Sequence, residues 1–417
     1  MFRITLYFLL CLSFILFTVR TGKAQPDFKG DTVYLNGKQK KVNIPFKLIH
    51  NLIIIPVKVN DSNTLNFILD SGVKTTLITQ LFYSDSLNLN HANKIAINGL
   101  GVGSQLEALH STQNSISLKG IKGENQEVFV LLDDVFDLST RMGMPVHGII
   151  GYDIFKNFIV KIDYSARMLT LYRPDTIIKK RKKTEEYPLY IEGHKAYLYA
   201  NIKQLNADTL KVKLVLDTGA SNSLSLYLPS DNRIALPPKV MQAYLGRGLS
   251  GDINGKIGRL SSLSIGRYHL MDLPASYPEE EAIKAALSIS NRNGNLGSEI
   301  LSRFNVIIDY PHKRILLCPN SKYKRPFYYN MAGFEVTTPL PGTNVYVISS
   351  VVAGSPASEA GVKPGDQLLD INGQKCFSLT LNDILEMMES KPGKKLNMNL
   401  MRDTEKLTVT VVLKNQI

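Results

Sequence analysis

Residues 214–226 read LVLDTGASNSLSL: an apolar run ends at Asp217, and Thr218 and Gly219 follow it at once. An aspartate in this position has two interpretations. Asp before a small residue and Gly is ordinary turn chemistry, because Asp bonds to its own backbone and Gly tolerates positive φ. An aspartate at the end of a buried strand is also a candidate catalytic acid. A single copy of the motif does not distinguish the two.

A second copy of the motif lies 147 residues earlier in the chain. Residues 67–79 read FILDSGVKTTLIT, which puts Asp70 at the end of an apolar run, before Ser71 and Gly72. Sequence similarity that recurs at a nearly constant offset indicates an internal duplication.

The duplication extends beyond the two motifs. GIIGYDIFKNFIVKIDY begins at Gly148 and GNLGSEILSRFNVIIDY at Gly294, at an offset of 146 residues. Apolar runs of strand length, separated by Gly and Asn turns, fill both halves and predict short β-strands. The chain therefore contains two homologous halves, about 40–175 and 185–320, and we expect a mostly β fold.

The first 24 residues have the features of a secretory signal peptide. Arg3 precedes a largely apolar run of 16 residues, and Gly22 and Ala24 supply the small side chains of a cleavage site. A retained membrane anchor is the alternative, although the run is shorter than the ~20 residues that span a bilayer. We expect an exported protein, periplasmic or associated with the cell envelope of a bacterium, with no integral membrane segment after signal removal.

Cysteine and histidine usage argues against disulfides and metals. Cys11 lies in the signal segment, which leaves Cys318 and Cys376 in separate predicted domains. No Cys or His pair has the spacing of a zinc site. We therefore expect no metal, no other cofactor and no disulfide framework.

Positive charge is concentrated at the seam between the halves. The net charge is +13, and the densest run is KKRKK at 179–183. Because this run follows a secretory signal and lacks interleaved aromatic residues, we interpret 179–186 as a solvated basic linker. We expect no nucleic acid partner.

A Gly-rich segment follows the aspartate in each half. GLGVG contains Gly99 and Gly101, and GRGLSG contains Gly246 and Gly248. The second segment matches a dinucleotide fingerprint literally, but it lacks the strand before it and the helix after it. We expect a hairpin in both places.

Together these features resemble the two lobes of an aspartic protease, and specifically the bacterial retropepsin-like branch with both lobes in one chain. Each Asp-(Ser/Thr)-Gly motif is followed about 77 residues later by a Gly-x-x-Gly element. The resemblance implies lobe 1 at 25–178, lobe 2 at 187–320, and Gly-rich hairpins that act as flaps. It covers about two thirds of the chain. Asn295 departs from it, since an apolar residue is usual there.

The resemblance implies that Asp70 and Asp217 form a catalytic pair. Two carboxylates held close together share one proton, because both cannot ionise. The ionised carboxylate then takes a proton from water while the other polarises the substrate carbonyl. Both motifs lie in one chain, so a monomer should suffice for catalysis.

Four further motif residues are implied to support the pair. Ser71 and Thr218 would hydrogen-bond across the interface between the lobes. Gly72 and Gly219 would let the two loops turn sharply and approach each other.

Two alternatives remain open on the sequence. Val73 and Lys74 are unusual after the first motif, and a lysine in the cleft would hold both carboxylates ionised. A non-catalytic peptide-binding adaptor with a degenerate protease fold would account for them. A glycosidase with two carboxylates is disfavoured, because its pair would lie ~5 Å or more apart.

The tail, residues 325–417, has a different pattern. VVAGSPASEAGVKPGDQLLDINGQ, at 351–374, resembles a bacterial PDZ domain, which implies a small α+β fold that binds an extended peptide by strand addition. Its best binding candidates are Gly333, Phe334 and Val336. We expect a separate folding unit that recruits protein substrates or gates their access.

Overall fold

The computed structural model describes residues 32–97, 106–205, 208–248 and 251–417. The predicted signal peptide at 1–24 and the flap candidates Gly99 and Gly101 lie outside these ranges. The described chain is mostly β, as predicted. Within it, no helix combines the length and apolar character needed to cross a membrane.

Lobe 1 is built around a single sheet of short strands. Its elements are β1 (Thr32–Leu35), β2 (Lys41–Pro45), β3 (Lys47–Ile49), β4 (Leu52–Val59), β5 (Leu65–Leu69), β6 (Thr76–Ile78), β7 (Asn93–Ile97), β8 (Leu106–Leu118), β9 (Ile121–Leu131), α1 (Leu138–Met142), β10 (Gly148–Ile150), α2 (Tyr152–Asn157), β11 (Ile159–Asp163) and β12 (Met168–Tyr172). The strand order in the sheet is β1-β9-β6-β10-β5-β4-β8-β7. Residues of β4 and β5 are almost all buried, which explains their continuous apolar sequence.

Lobe 2 repeats this arrangement. Its elements are β13 (Glu185–Pro188), β14 (Tyr190–Glu192), β15 (Lys195–Lys203), β16 (Thr209–Leu216), β17 (Leu224–Leu226), a 3₁₀ turn (Leu228–Ser230), β18 (Val240–Gly248), β19 (Gly251–Ile265), β20 (Tyr268–Pro278), α3 (Glu280–Ile289), β21 (Gly294–Leu296), α4 (Ser298–Leu301), β22 (Phe304–Asp309) and β23 (Arg314–Pro319). β10 lies between parallel β5 and antiparallel β6, and β21 lies in the same way between β16 and β17.

A six-stranded sheet joins the lobes, in the order β13-β23-β22-β11-β12-β2. At its centre, β11 of lobe 1 pairs with β22 of lobe 2. Glu185 and Glu186, which the sequence analysis assigned to the basic linker, are the first residues of β13 and pair with Leu317 and Leu316. The linker prediction therefore runs two residues too far.

The Gly-x-x-Gly blocks explain themselves by close backbone approach. A Cβ at Gly151 would lie 1.8 Å from the carbonyl oxygen of Asp70. A Cβ at Gly297 would lie 2.1 Å from the carbonyl oxygen of Asn222. Any side chain at either glycine would push the block away from the loop that carries the aspartate.

The tail forms its own sheet, in the order β24-β25-β26-β28-β29 with β27 beside β26. Its elements are β24 (Phe334–Thr337), β25 (Tyr346–Val351), α5 (Pro356–Glu359), β26 (Gln367–Ile371), β27 (Gln374–Lys375), a 3₁₀ turn (Cys376–Ser378), α6 (Leu381–Met388), β28 (Lys395–Arg402) and β29 (Glu405–Val412). Thr380 and Asp383 form a capping box at the start of α6.

The tail packs against the lobes more closely than a separate folding unit would. One hydrophobic cluster joins its core residues to Leu245 and Ile253 of the β18–β19 hairpin. Asn382 of α6 accepts a hydrogen bond from His50 N (3.3 Å) and donates one to Leu48 O (2.6 Å). The sequence could not predict this docking, because it depends on contacts between segments more than 300 residues apart.

Candidate active site

Asp70 and Asp217 follow the last residues of β5 and β16, at equivalent ends of the two lobe sheets. Their backbone N–H groups donate to Ile150 O (2.8 Å) and Leu296 O (3.0 Å), which ties each loop to its glycine block. Each carboxylate also accepts a hydrogen bond from the glycine of its own motif. Gly72 N lies 2.6 Å from Asp70 Oδ1, and Gly219 N lies 3.1 Å from Asp217 Oδ1.

Ser71 and Thr218 connect the two loops through four buried hydrogen bonds. Ser71 N donates to Thr218 Oγ1 (2.9 Å), and Thr218 N donates to Ser71 Oγ (3.0 Å). The Ser71 hydroxyl donates to Leu216 O (2.7 Å), and the Thr218 hydroxyl donates to Leu69 O (2.9 Å). Each hydroxyl thus satisfies a donor and an acceptor of the opposite lobe, which fixes the loops face to face.

The two carboxyl groups are in direct contact. A Cβ at Gly219 would lie 2.2 Å from Asp70 Cγ, so only glycine permits this approach. Both aspartate side chains are fully buried. Burial raises the pKa of Asp70 well above its usual range, and the Asp217 charge and a hydrogen bond between the two carboxyls raise it further. That hydrogen bond requires one carboxyl to be protonated.

Asp217 has polar partners that Asp70 lacks. Asn295 Nδ2 donates to Asp217 Oδ2 (2.7 Å), and Tyr227 Oη donates to Asn295 Oδ1 (3.0 Å). Burial raises the pKa of Asp217, but Lys195, Arg292 and Asn295 oppose this increase. Within the described chain, Asp70 Oδ2 has no donor group in hydrogen-bonding contact.

Lys195, Arg292 and Tyr227 were missed by the sequence analysis. Lys195 and Arg292 are 3% and 1% exposed, and the guanidinium of Arg292 lies 5.4 Å from the centre of the Tyr227 ring. Asn295 was noticed only as a departure from the family pattern. A residue-by-residue comparison of the two halves would have found Lys195, since the equivalent residue of lobe 1 is Leu52.

Lys74 is not the cation beside the pair. Its side chain is exposed, and its charge acts on Glu127 and His194, lowering the pKa of each. Val73 is fully buried and packs in a lobe 1 cluster. The positive charge near the carboxylates comes from lobe 2 instead.

Gly246 and Gly248 lie at the end of β18, beside the turn into β19. The ladder is irregular between Tyr244 and Gly246, and Gly246 has a φ of 131°, which favours glycine. This is a long β-hairpin, and no helix follows it. In lobe 1, Gly99 and Gly101 belong to the segment between β7 and β8, outside the described residues.

The PDZ candidates surround a loop that is hydrogen-bonded internally. Asn330 Oδ1 accepts from Ala332 N and Gly333 N, both at 3.1 Å, and Asn330 Nδ2 donates to Phe334 O at 2.7 Å. The side chains of Phe334 and Val336 are buried in the domain core. These two residues could therefore meet a peptide only through their backbone.

A recess of about 620 Å³ lies where the tail meets both lobes. Asn51 of lobe 1, Ser221 of lobe 2 and Glu389 of the tail are among its lining residues. Asn51 Nδ2 donates to Ser221 O (3.2 Å), four residues beyond Asp217. The recess therefore begins close to the second motif loop.

Two family models match parts of the chain. The family described as aspartyl protease matches residues 55–154, which include Asp70 and the first glycine block. The family described as PDZ domain matches residues 347–402. The chain thus contains a retropepsin-like aspartyl protease domain and a C-terminal PDZ domain.

Curated relatives share shorter segments. The carboxy-terminal processing protease CtpA of Bacillus subtilis is 36% identical over 56 residues, which are 13% of this chain and 12% of the relative. A Brucella suis protein, whose name assigns it provisionally to the zinc metalloproteases, is 31% identical over 87 residues, 21% of each chain. The chain spans about a fifth or less of the length of these relatives. The family matches and the relatives' names support a peptidase.

Proposed function

We propose that the protein is an exported aspartic-type endopeptidase, periplasmic or associated with the cell envelope, that uses Asp70 and Asp217 as its catalytic pair. One observation carries the proposal. Two mirrored loops bring these carboxyls together so closely that they share a hydrogen bond. Two carboxyls that share one proton are suited to acid and base catalysis on a single water molecule. They are too close together for a glycosidase.

In the proposed reaction, Asp217 acts as the base and Asp70 as the acid. The Asp217 carboxylate takes a proton from water, whose oxygen bonds to the peptide carbonyl carbon. Asp70 gives its proton to the carbonyl oxygen. The tetrahedral intermediate then collapses as its C–N bond breaks, and the leaving nitrogen takes a proton from the pair. Both aspartates belong to one chain, so a monomer completes the site.

A zinc mechanism has less support in this chain. The relatives whose names mention zinc share at most 87 residues with it. Among the described residues, no group of three or more His, Cys, Asp or Glu side chains is arranged to hold a metal ion. The 56 residues shared with the Bacillus protein equal the PDZ match in length.

The PDZ domain is proposed to recruit protein substrates or to gate their access. Gating is favoured by the docking of α6 on the β3–β4 turn, through the two hydrogen bonds of Asn382. Asp70 and Asp217 are fully buried, so a peptide reaches them only if some covering element moves. A peptide that competes for the tail would move such an element.

A second candidate function is a peptide-binding adaptor without catalysis. Lys195 and Arg292 favour it, because two cations beside the pair could hold both carboxylates ionised. The burial that raises the pKa of Asp70 opposes this. The adaptor would bind peptides but not cleave them.

One experiment separates these candidates. Purified protein is incubated across pH with an unfolded protein substrate, alone, with pepstatin, and with a zinc chelator. Cleavage that pepstatin blocks and the chelator spares supports the aspartic mechanism. Cleavage blocked only by the chelator supports zinc, and peptide binding without cleavage at any pH supports the adaptor.

A further inference from the structure

The two aspartates differ in the residue that lies opposite each one on the neighbouring strand. β4 pairs with β5 in a register that, continued beyond its last pair, places Leu52 opposite Asp70. β15 pairs with β16 in a register that, continued in the same way, places Lys195 opposite Asp217. Equivalent positions of the two lobes thus hold a hydrocarbon side chain and an amine.

Lys195 has the burial of a core residue and no hydrogen bond. It is 3% exposed, and no acceptor lies within reach of its Nζ in the described part of the chain. A buried ammonium group is very unfavourable unless a negative charge compensates it. Glu192, its cross-strand neighbour in β14, does not fill this role, because its carboxylate binds Lys213 Nζ at 2.6 and 2.7 Å.

The remaining groups near Lys195 leave the aspartates as its counter-charge. Arg292 is a second cation. Burial lowers the pKa of His194 to about 4, and the charges of Lys195 and Lys74 lower it further, so this imidazole is neutral near pH 7. Burial raises the pKa of Tyr310, whose hydroxyl donates to Ser71 O at 3.4 Å, so this phenol is neutral as well.

We propose that Lys195, supported by Arg292, is a positioning residue that keeps Asp217 ionised and thereby keeps the shared proton on Asp70. This inference rests on the proposed function, which it deepens by assigning the base and the acid. The charge acts through Asp217 and does not touch the substrate. In lobe 1, Leu52 offers no such charge, so the proton remains on the carboxyl with the apolar neighbour.

The charges near the pair support this assignment. Lys195 and Arg292 are the largest opponents of the burial that raises the pKa of Asp217. For Asp70, the Asp217 charge adds to the effect of burial, and Lys195 opposes them only weakly. Burial lowers the pKa of Lys195 itself to about 7. Its stabilisation of the Asp217 carboxylate is therefore complete below neutral pH and is lost as the pH rises through about 7.

The test compares Lys195→Met with Leu52→Met, which changes the equivalent residue of lobe 1 without removing a charge. Without the lysine cation, both limbs of the pH profile of kcat/KM should move upward by about one unit. Leu52→Met and Lys195→Arg should leave the limbs in place. A uniform loss in Lys195→Met, with unmoved limbs, would reduce Lys195 to a packing residue. An equal shift in Leu52→Met would overturn the assignment too.

A second readout does not depend on cleavage. Carbon-13 NMR of carboxyl-labelled aspartate follows the two groups, with Asp70→Asn and Asp217→Asn as assignments. In the wild type, the Asp217 signal should show the ionised form at lower pH than Asp70, and the two titrations should converge in Lys195→Met. Wild-type titrations that already coincide overturn the inference alone. Separated titrations in a protein that cleaves nothing reject the proposed function and leave the inference standing.

Discussion

The two sides of the aspartate pair share a backbone and differ in their walls. Both loops have the same strand, glycine and cross-lobe hydrogen bonds. The wall beside Asp70 is apolar, with Leu52 and Ile149, whereas Asn295 occupies the position of Ile149 in lobe 2 and contacts Asp217. Two identical side chains are thereby given different environments, which is how paired carboxyls acquire separate roles as acid and base. Four predictions test this comparison, from the largest effect to the smallest.

Asp70→Asn and Asp217→Asn should each lower kcat/KM for peptide cleavage by about 10³-fold or more, since one carboxyl cannot serve as both acid and base. In activity, therefore, the two sides should be alike. The measurement is cleavage of a fluorogenic peptide at the wild-type pH optimum. A circular dichroism spectrum that matches the wild type is the control. A tenth of wild-type activity in either folded variant would contradict the paired assignment.

In stability the same two variants should differ. At pH 7, Asp70 is protonated and neutral, so asparagine replaces a group of similar shape and charge, and the free energy of unfolding should change by less than about 1 kcal/mol. Asp217→Asn removes the counter-charge of Lys195 and Arg292, which should cost about 2 kcal/mol or more. Urea unfolding at pH 7 measures both. Equal destabilisation would show that the two environments are not electrostatically distinct.

The symmetric features of the site could be predicted from the sequence, because duplication leaves a constant offset. Asp70 and Asp217, and the glycine blocks behind them, follow from motifs repeated in order. The asymmetric features could not be predicted. Lys195, in the stretch EGHKAY, has the character of a solvated turn residue, and only the register of β15 against β16 turns it inward. Docking of the tail through Asn382 leaves no local signal in the sequence at all.

Asn295→Leu should make the lobe 2 side resemble the lobe 1 side. It removes the donor to Asp217 Oδ2, so the ionised carboxylate loses a hydrogen bond that lowers its pKa. The acidic limb of the pH profile should move upward by about one unit, and activity one unit below the wild-type limb should fall about 10-fold. Ile149→Leu is the matched control in lobe 1. A loss that is equal at all pH values would indicate disturbed packing instead.

Lys74→Ser should have the smallest effect. Lys74 occupies the position in motif 1 that Ser221 occupies in motif 2, so the substitution makes the two motifs alike without changing any buried charge. Its side chain is exposed, where solvent screens its charge. Both limbs of the pH profile should therefore stay within about 0.3 units of the wild type. An upward shift as large as that expected for Lys195→Met would place the controlling cation in lobe 1, and the lobes would have to exchange their assigned roles.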